Sequence, residues 1–169
     1  AKGVPVGSSR VEKDRLKFAE EMMGRIDARK KKILLPIDHL IVEKFENNEF
    51  RTTQSEAIPE GWMGLDIGPK TIQLYRNELA KAKTVFWNGP MGVFERAPFS
   101  KGTFAIAEAM ASLTDAKTVV GGGDSAAAAE LSGYANKMSH ISTGGGASLE
   151  YLQGDKLPGL EVLRAPRVK

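Results

Sequence analysis

The chain has 169 residues, 41% hydrophobic and 27% charged, with no cysteine and with 24 basic against 21 acidic side chains. That balance suits one folded domain with a real core rather than a disordered chain, and it excludes disulfides, thiolate catalysis and cysteine-ligated metal. A formal excess of +3 is too small to imply nucleic acid or a membrane surface as partner. No apolar run reaches membrane-spanning length and residues 1–5 are not a signal peptide, so the composition predicts a soluble protein of the cytoplasm.

In chain order, residues 1–8 read as a loop. Ser9 reads as an N-cap with Glu12 completing a capping box, and Leu16, Ala19, Met23 and Ile26 form the stripe of a surface helix ending near residue 28. The basic run Arg29-Lys30-Lys31-Lys32 falls between a helical and a strand pattern and reads as a solvated turn. Ile33-Leu34-Leu35-Pro36-Ile37-Asp38 has the length and apolar continuity of a strand buried on both faces of a parallel sheet. Residues 40–62 form a mixed excursion with short strands near 40–42 and 50–53. Gly64-Leu65-Asp66-Ile67-Gly68-Pro69-Lys70 reads as a turn opening a helix over residues 70–81, with Pro69 in the first helical position and Ile72, Tyr75 and Leu79 inward.

Residues 84–87 are the next buried strand, followed by a loop over 88–95 and a helix over 101–113 with Ile106, Met110 and Leu113 inward. A strand over 117–120 leads into Gly121-Gly122-Gly123-Asp124-Ser125 and a helix to residue 131. A strand over 139–142 leads into Thr143-Gly144-Gly145-Gly146 and a helix to residue 152. Repeated strand-loop-helix units predict an α/β fold: a Rossmann-like parallel sheet with helices on both faces. Ligands of such sheets bind beyond the carboxyl ends of the strands. The loops at 64–70, 88–95, 121–125 and 143–146 are therefore expected to converge on one crevice.

Two triple-glycine turns, each between a strand and a helix, suit phosphate, because backbone N–H groups without a Cβ nearby can approach an anion at a helix N-terminus. Neither the dinucleotide G-x-G-x-x-G nor the Walker loop is present, which argues against dehydrogenases and P-loop enzymes. For Asp124 two readings compete: an N-cap for the alanine-rich helix, or a contact to Mg²⁺ lying between its carboxylate and a phosphate. Ser125 either caps or donates to phosphate. Glu95 is either a solvated turn carboxylate or the acceptor of a ribose hydroxyl pair. His39 and His140 are too isolated for a metal site, Trp62 and Trp87 read as packing residues, and no Ser-His-Asp set or paired glycosidase carboxylates can be assembled.

Trp87-Asn88-Gly89-Pro90-Met91-Gly92-Val93-Phe94-Glu95, taken with residues 121–125 and with Ser139-His140-Ile141-Ser142-Thr143-Gly144-Gly145-Gly146-Ala147-Ser148-Leu149-Glu150, resembles phosphoglycerate kinase. Gly61-Trp62-Met63-Gly64-Leu65-Asp66-Ile67-Gly68-Pro69 and Leu157-Pro158-Gly159 resemble the same family in the same order, and the eukaryotic, kinetoplastid-like branch looks closest. The resemblance implies a glycolytic kinase that transfers a phosphoryl group between 1,3-bisphosphoglycerate and Mg-ADP, giving 3-phosphoglycerate and ATP. It implies that Gly64 and Leu65 line the adenine site, Asn88 and Pro90 the nucleotide wall, and Glu95 the ribose. Gly122 and Gly123 would approach the phosphates, Asp124 would hold Mg²⁺, and Ser125, threonine in many relatives, would bond a phosphate oxygen. Gly145 and Gly146 would open the helix aimed at the transferred group.

The departures from the family pattern are equally informative. A family member is more than twice this length, so residues 1–169 are expected to be a partial C-terminal nucleotide-binding domain, without the N-terminal substrate domain and without the first strands of its own sheet. Such a chain is expected to be inactive alone. Its exposed sheet edge would pair with a complementary chain or a second copy. The alternative is a non-catalytic nucleotide-binding or assembly module. The kinetoplastid likeness adds the glycosome as an alternative to the cytoplasm, while residues 163–169 depart from the usual ending and form no peroxisomal tripeptide.

Overall fold

A computed structural model of the chain describes residues 1–164. They fold as two compact α/β units, one of Ala1–Glu78 with Met91–Ile106 and one of Leu79–Pro90 with the residues from Ala107 onward. Among the described residues no helix is long and apolar enough to cross a membrane.

The first unit is built on a three-stranded antiparallel sheet of order β2-β1-β3, with β1 at His39–Val42, β2 at Arg51–Thr52 and β3 at Met63–Ile67. Residues 63–67 are therefore strand rather than the turn expected from their glycine content. The ladder to β1, His39 opposite Ile67 and Val42 opposite Met63, satisfies a backbone that local propensity would leave as a loop. A bulge between Leu40 and Ile41 keeps Leu40, Val42 and Leu65 together in a core with Phe99.

Helix α2, Pro69–Leu79, starts on the proline as predicted. Its cap comes from a distant segment. Asp38 is fully buried; its Oδ2 accepts from Lys70 N at 2.9 Å and its Oδ1 from Thr71 N at 2.8 Å and Thr71 Oγ1 at 2.6 Å. A Cβ on Gly68 would lie 2.3 Å from the Asp38 carboxyl carbon, so this position must be glycine.

Two other expectations are corrected. Residues 33–37 form no strand: no neighbouring strand pairs with them among the described residues, Pro36 has no N–H to give, and Ile33, Leu35 and Ile37 stand exposed. An apolar run becomes a buried strand only where a partner supplies the ladder. Ser9 caps no helix. Its Oγ accepts from Gly64 N at 3.0 Å, and helix α1, Leu16–Ala28, begins later, after a 3₁₀ turn at Lys13–Arg15.

The second unit carries the predicted parallel sheet, order β4-β5-β6, from Thr84–Trp87, Lys117–Gly121 and His140–Ser142. In register, Trp87 faces Val120 and Gly121 faces Ser142. Helix α3, Lys101–Ala111, precedes β5 and belongs to the first unit as far as Ile106 and to the second from Ala107; Ile106 and Met110 are buried as expected, while Leu113 falls beyond the helix end. Helices α4, Gly123–Leu131, and α5, Gly145–Gln153, follow β5 and β6, and α4 buries Ala126, Ala128 and Ala129. A further helix, α6, spans Pro158–Arg164 and was not foreseen. The reading of the chain's last residues, 165–169, lies outside the described residues.

Candidate functional site

In the second unit three connections leave the carboxyl ends of parallel strands, at residues 88–90, at Gly122 and at residues 143–144. Residues 64–70 are not among them, since 64–67 are themselves part of β3 in the antiparallel sheet of the first unit. Gly122 has φ +96°, a conformation that L side chains rarely adopt, and it caps the N-terminus of α4. A Cβ on Gly145, the first residue of α5, would sit 2.7 Å from Gly122 Cα and 3.1 Å from Gly122 N. The two glycine turns thus touch backbone to backbone, with Asn88 Oδ1 about the same point, 3.2 Å from where a Gly122 Cβ would be. Sequence alone placed these three segments side by side; the contact shows how closely.

Around that point Asn88, Gly123, Asp124 and Gly146 are exposed, while Pro90, Gly122 and Gly145 are half-buried. The N-cap of α4 is Gly122 and Asp124 lies inside the first turn, so Asp124 is not the N-cap that one of the two readings made it. It stands in the first turn of α4, where the helix dipole attracts anions. Ser125 is buried, and its Oγ accepts from Gly89 N at 2.6 Å. It therefore anchors the loop after β4, whose other side is held by Trp87 Nε1 donating to Gly89 O at 2.7 Å. Trp87 is a packing residue, as expected.

In the first unit Gly64 and Leu65 lie on β3, and Glu95 stands exposed in the part of the 88–95 loop that belongs to this unit, from Met91 onward. The Leu65 side chain belongs to the core, and its carbonyl accepts from Val93 N at 2.8 Å. Leu65 thus sets the loop by its backbone. His39 and His140 stand at the starts of β1 and β6, in different units, and the described residues hold no group of three or more His, Asp or Glu placed to grip a metal ion. Trp62 packs under the Arg51 guanidinium, 4.6 Å from its ring centre.

Sequence reasoning missed Asp66. It is buried on β3, with Oδ2 accepting from Gly102 N at 2.7 Å and Oδ1 from Ile67 N at 2.8 Å. A carboxylate inside an otherwise apolar strand was the available signal. Burial pushes this carboxyl up from 3.8 to about 6, against the pull of the Gly102 and Ile67 amides. Between those two values the folded protein holds a proton that the unfolded chain has lost, so stability should fall as pH rises through the window and level off above it. The expected decline is on the order of 2–3 kcal/mol. Urea denaturation at stepped pH should show it, and Asp66→Asn should flatten that stretch of the profile; an unchanged slope in the variant would assign the decline to other groups.

The family model of phosphoglycerate kinase matches residues 1–155. The chain belongs to the phosphoglycerate kinase family. Similar curated proteins include the phosphoglycerate kinase of Bdellovibrio bacteriovorus, 59% identical over 165 residues, which are 97% of this chain and 41% of that protein. That of Anaeromyxobacter dehalogenans is 57% identical over 162 residues, 95% of this chain and 41% of its own length. The structure of phosphoglycerate kinase from Coxiella burnetii is similar with a TM-score of 0.88 at 36% identity, over 95% of this chain and 42% of that one. These three are bacterial, whereas the motifs alone had suggested a eukaryotic likeness. The chain spans about two fifths of the length of the curated relatives it matches, 41% for both named here.

Proposed function

We propose that this chain is the Mg-nucleotide half of a phosphoglycerate kinase, binding ADP or ATP for phosphoryl transfer between 1,3-bisphosphoglycerate and ADP in glycolysis, and that it does not catalyse alone. The observation that carries the reading is the backbone contact of Gly122 with Gly145 at the carboxyl ends of β5 and β6. It brings the N-termini of α4 and α5 together at glycines without a Cβ; Gly122 N is itself spent on Ser142 O at 3.0 Å, so the donors left for phosphate are those of the first turns of the two helices. Gly122 and Gly123 meet the phosphates. Asn88 and Pro90 wall the nucleotide, held by the Ser125 hydroxyl beneath Gly89. By the family resemblance, Gly64 and Leu65 serve adenine and Glu95 ribose. Gly145 and Gly146 present the N-terminus of α5 to the group in transfer.

A magnesium ion fits one available carboxylate, because Mg²⁺ keeps several waters and takes one or two carboxylates together with substrate phosphates. Asp124 is exposed in the first turn of α4 and is the residue that would hold it. The ion would neutralise phosphate charge. The chain's own contribution is positioning and N–H donation, with no covalent intermediate needed.

Isothermal calorimetry with ADP tests this reading. Asp124→Asn should weaken binding about tenfold, roughly 1.4 kcal/mol, in magnesium. The difference should vanish in excess chelator. Wild-type chain with no affinity for Mg-ADP would defeat the proposal, and the assembly-module reading would stand in its place. A specific observation keeps that second reading in view: the unpaired residues 33–37 flank an apolar groove of about 520 Å³ lined by Phe18, Met22, Ile33 and Leu35. We propose that a complementary chain, supplying length the relatives possess, covers this apolar groove; a defined homo-oligomer in solution would instead assign it to a second copy.

A further inference from the structure

We propose that Thr103 is a positioning residue for the nucleotide site: its hydroxyl clamps the start of the 91–95 loop and so fixes where Glu95 is presented. Thr103 lies in the first turn of α3 and is fully buried. Its Oγ1 accepts two successive loop amides, Met91 N at 3.0 Å and Gly92 N at 3.3 Å. Nothing in its sequence neighbourhood announces this role, because a threonine near the start of a helix reads as an ordinary helical residue.

The clamp has a second jaw. Asp66 Oδ2 accepts from Gly102 N at 2.7 Å and thereby ties the residue before Thr103 to β3. A Cβ on Gly92 would fall 2.5 Å from Asp66 Oδ1 and 2.6 Å from Leu65 O, and one on Gly102 would fall 2.2 Å from Asp66 Oδ1. Loop, helix and strand therefore meet at atoms that only glycine allows. Val93 N then donates to Leu65 O at 2.8 Å, which continues the register. At the far end Arg96 donates to Phe45 O and to Asn47 O. Glu95 is the exposed residue between two fixed ends.

The consequence for recognition is geometric. A carboxylate that accepts a pair of ribose hydroxyls must be held to within a fraction of an ångström, and a loop residue achieves that only if its backbone is anchored. This assignment rests on the reading of Glu95 as the ribose contact, and its test separates the two. Thr103→Val keeps the shape and removes the acceptor; Thr103→Ser keeps the acceptor.

Amide hydrogen exchange of the 169-residue chain without nucleotide judges the clamp alone. Exchange at Met91 and Gly92 should accelerate about tenfold or more in Thr103→Val, with the β5 amides unchanged, and should return to wild type in Thr103→Ser. Calorimetry then judges the consequence. Thr103→Val should weaken Mg-ADP about tenfold, while Mg-2′,3′-dideoxy-ADP, which lacks the hydroxyl pair, should bind the Val variant and wild type alike. Gly92→Ala, which leaves Thr103 in place but drives the loop from Asp66, should show the same ligand discrimination. Unchanged exchange at Met91 and Gly92 in Thr103→Val overturns the clamp, and equal losses for ADP and the dideoxy analogue overturn its link to Glu95. Wild type that binds neither nucleotide defeats the nucleotide reading, and the exchange result still decides the clamp.

Discussion

Gly145→Ala is expected to lower Mg-ADP affinity by about two orders of magnitude and to destabilise the second unit by about 2–3 kcal/mol. The added methyl would meet Gly122 Cα at 2.7 Å and Gly122 N at 3.1 Å, and Asn88 Oδ1 at 3.4 Å. Two of those atoms are backbone, and the backbone concerned already holds φ +96° at the N-cap of α4. It cannot yield as a flexible side-chain tip would, so the two glycine turns must separate and the two helix N-termini offered to phosphate move apart. Gly146→Ala is the matched comparison. Its Cβ meets nothing within 4 Å, and alanine is the better helix former by about 1 kcal/mol. Thermal melts of the two variants should therefore move in opposite directions. Equal melts would mean that the turns tolerate separation, and the contact would lose its place at the centre of the site.

Asp38→Ala should cost the first unit about 3–5 kcal/mol. The fully buried carboxylate of Asp38 answers three donors, Lys70 N, Thr71 N and Thr71 Oγ1. Thr71 Oγ1 in turn accepts from Ile37 N and Asp38 N. Removing the carboxylate strands the first amides of α2 and loosens the link back to residues 37 and 38, while Gly68 leaves a gap where the carboxyl stood. Urea denaturation followed by far-ultraviolet circular dichroism should report the loss, and exchange at the Lys70 and Thr71 amides should report its location. Asp38→Asn retains a carbonyl for one amide and should lose less. If both variants melt with wild type, the helix is capped by something other than Asp38.

Much of the second unit was legible beforehand because its signals are local. Strand, glycine turn and helix succeed one another from residue 84 to residue 152, and parallel β-strands joined by helices admit few arrangements. The first unit was harder, since its decisive interactions span long stretches of chain. Asp38 caps α2 from 32 and 33 residues away and Asp66 reaches Gly102 across 36. Ser9 shows the same thing from the other side: a sound capping box lost to Gly64 N, 55 residues on. The run at residues 33–37 had the right composition for a strand and lacked a partner.

By itself the sequence determined that this is an α/β chain of the phosphoglycerate kinase family and which residues form its glycine turns; the family resemblance proposed Asn88, Gly122, Gly123, Asp124 and Gly145 for the nucleotide. Composition, periodicity and motif spacing carry that much because they act over a few residues. Tertiary structure alone decided what those residues are free to do. Ser125 and Thr103 each turn a hydroxyl to loop amides, Asp66 is buried beneath the 91–95 loop, and Asp124 keeps its carboxylate in the open. The difference is burial: a polar side chain taken out of water must spend its hydrogen bonds on whatever backbone the fold brings to it, and only the fold says which backbone that is.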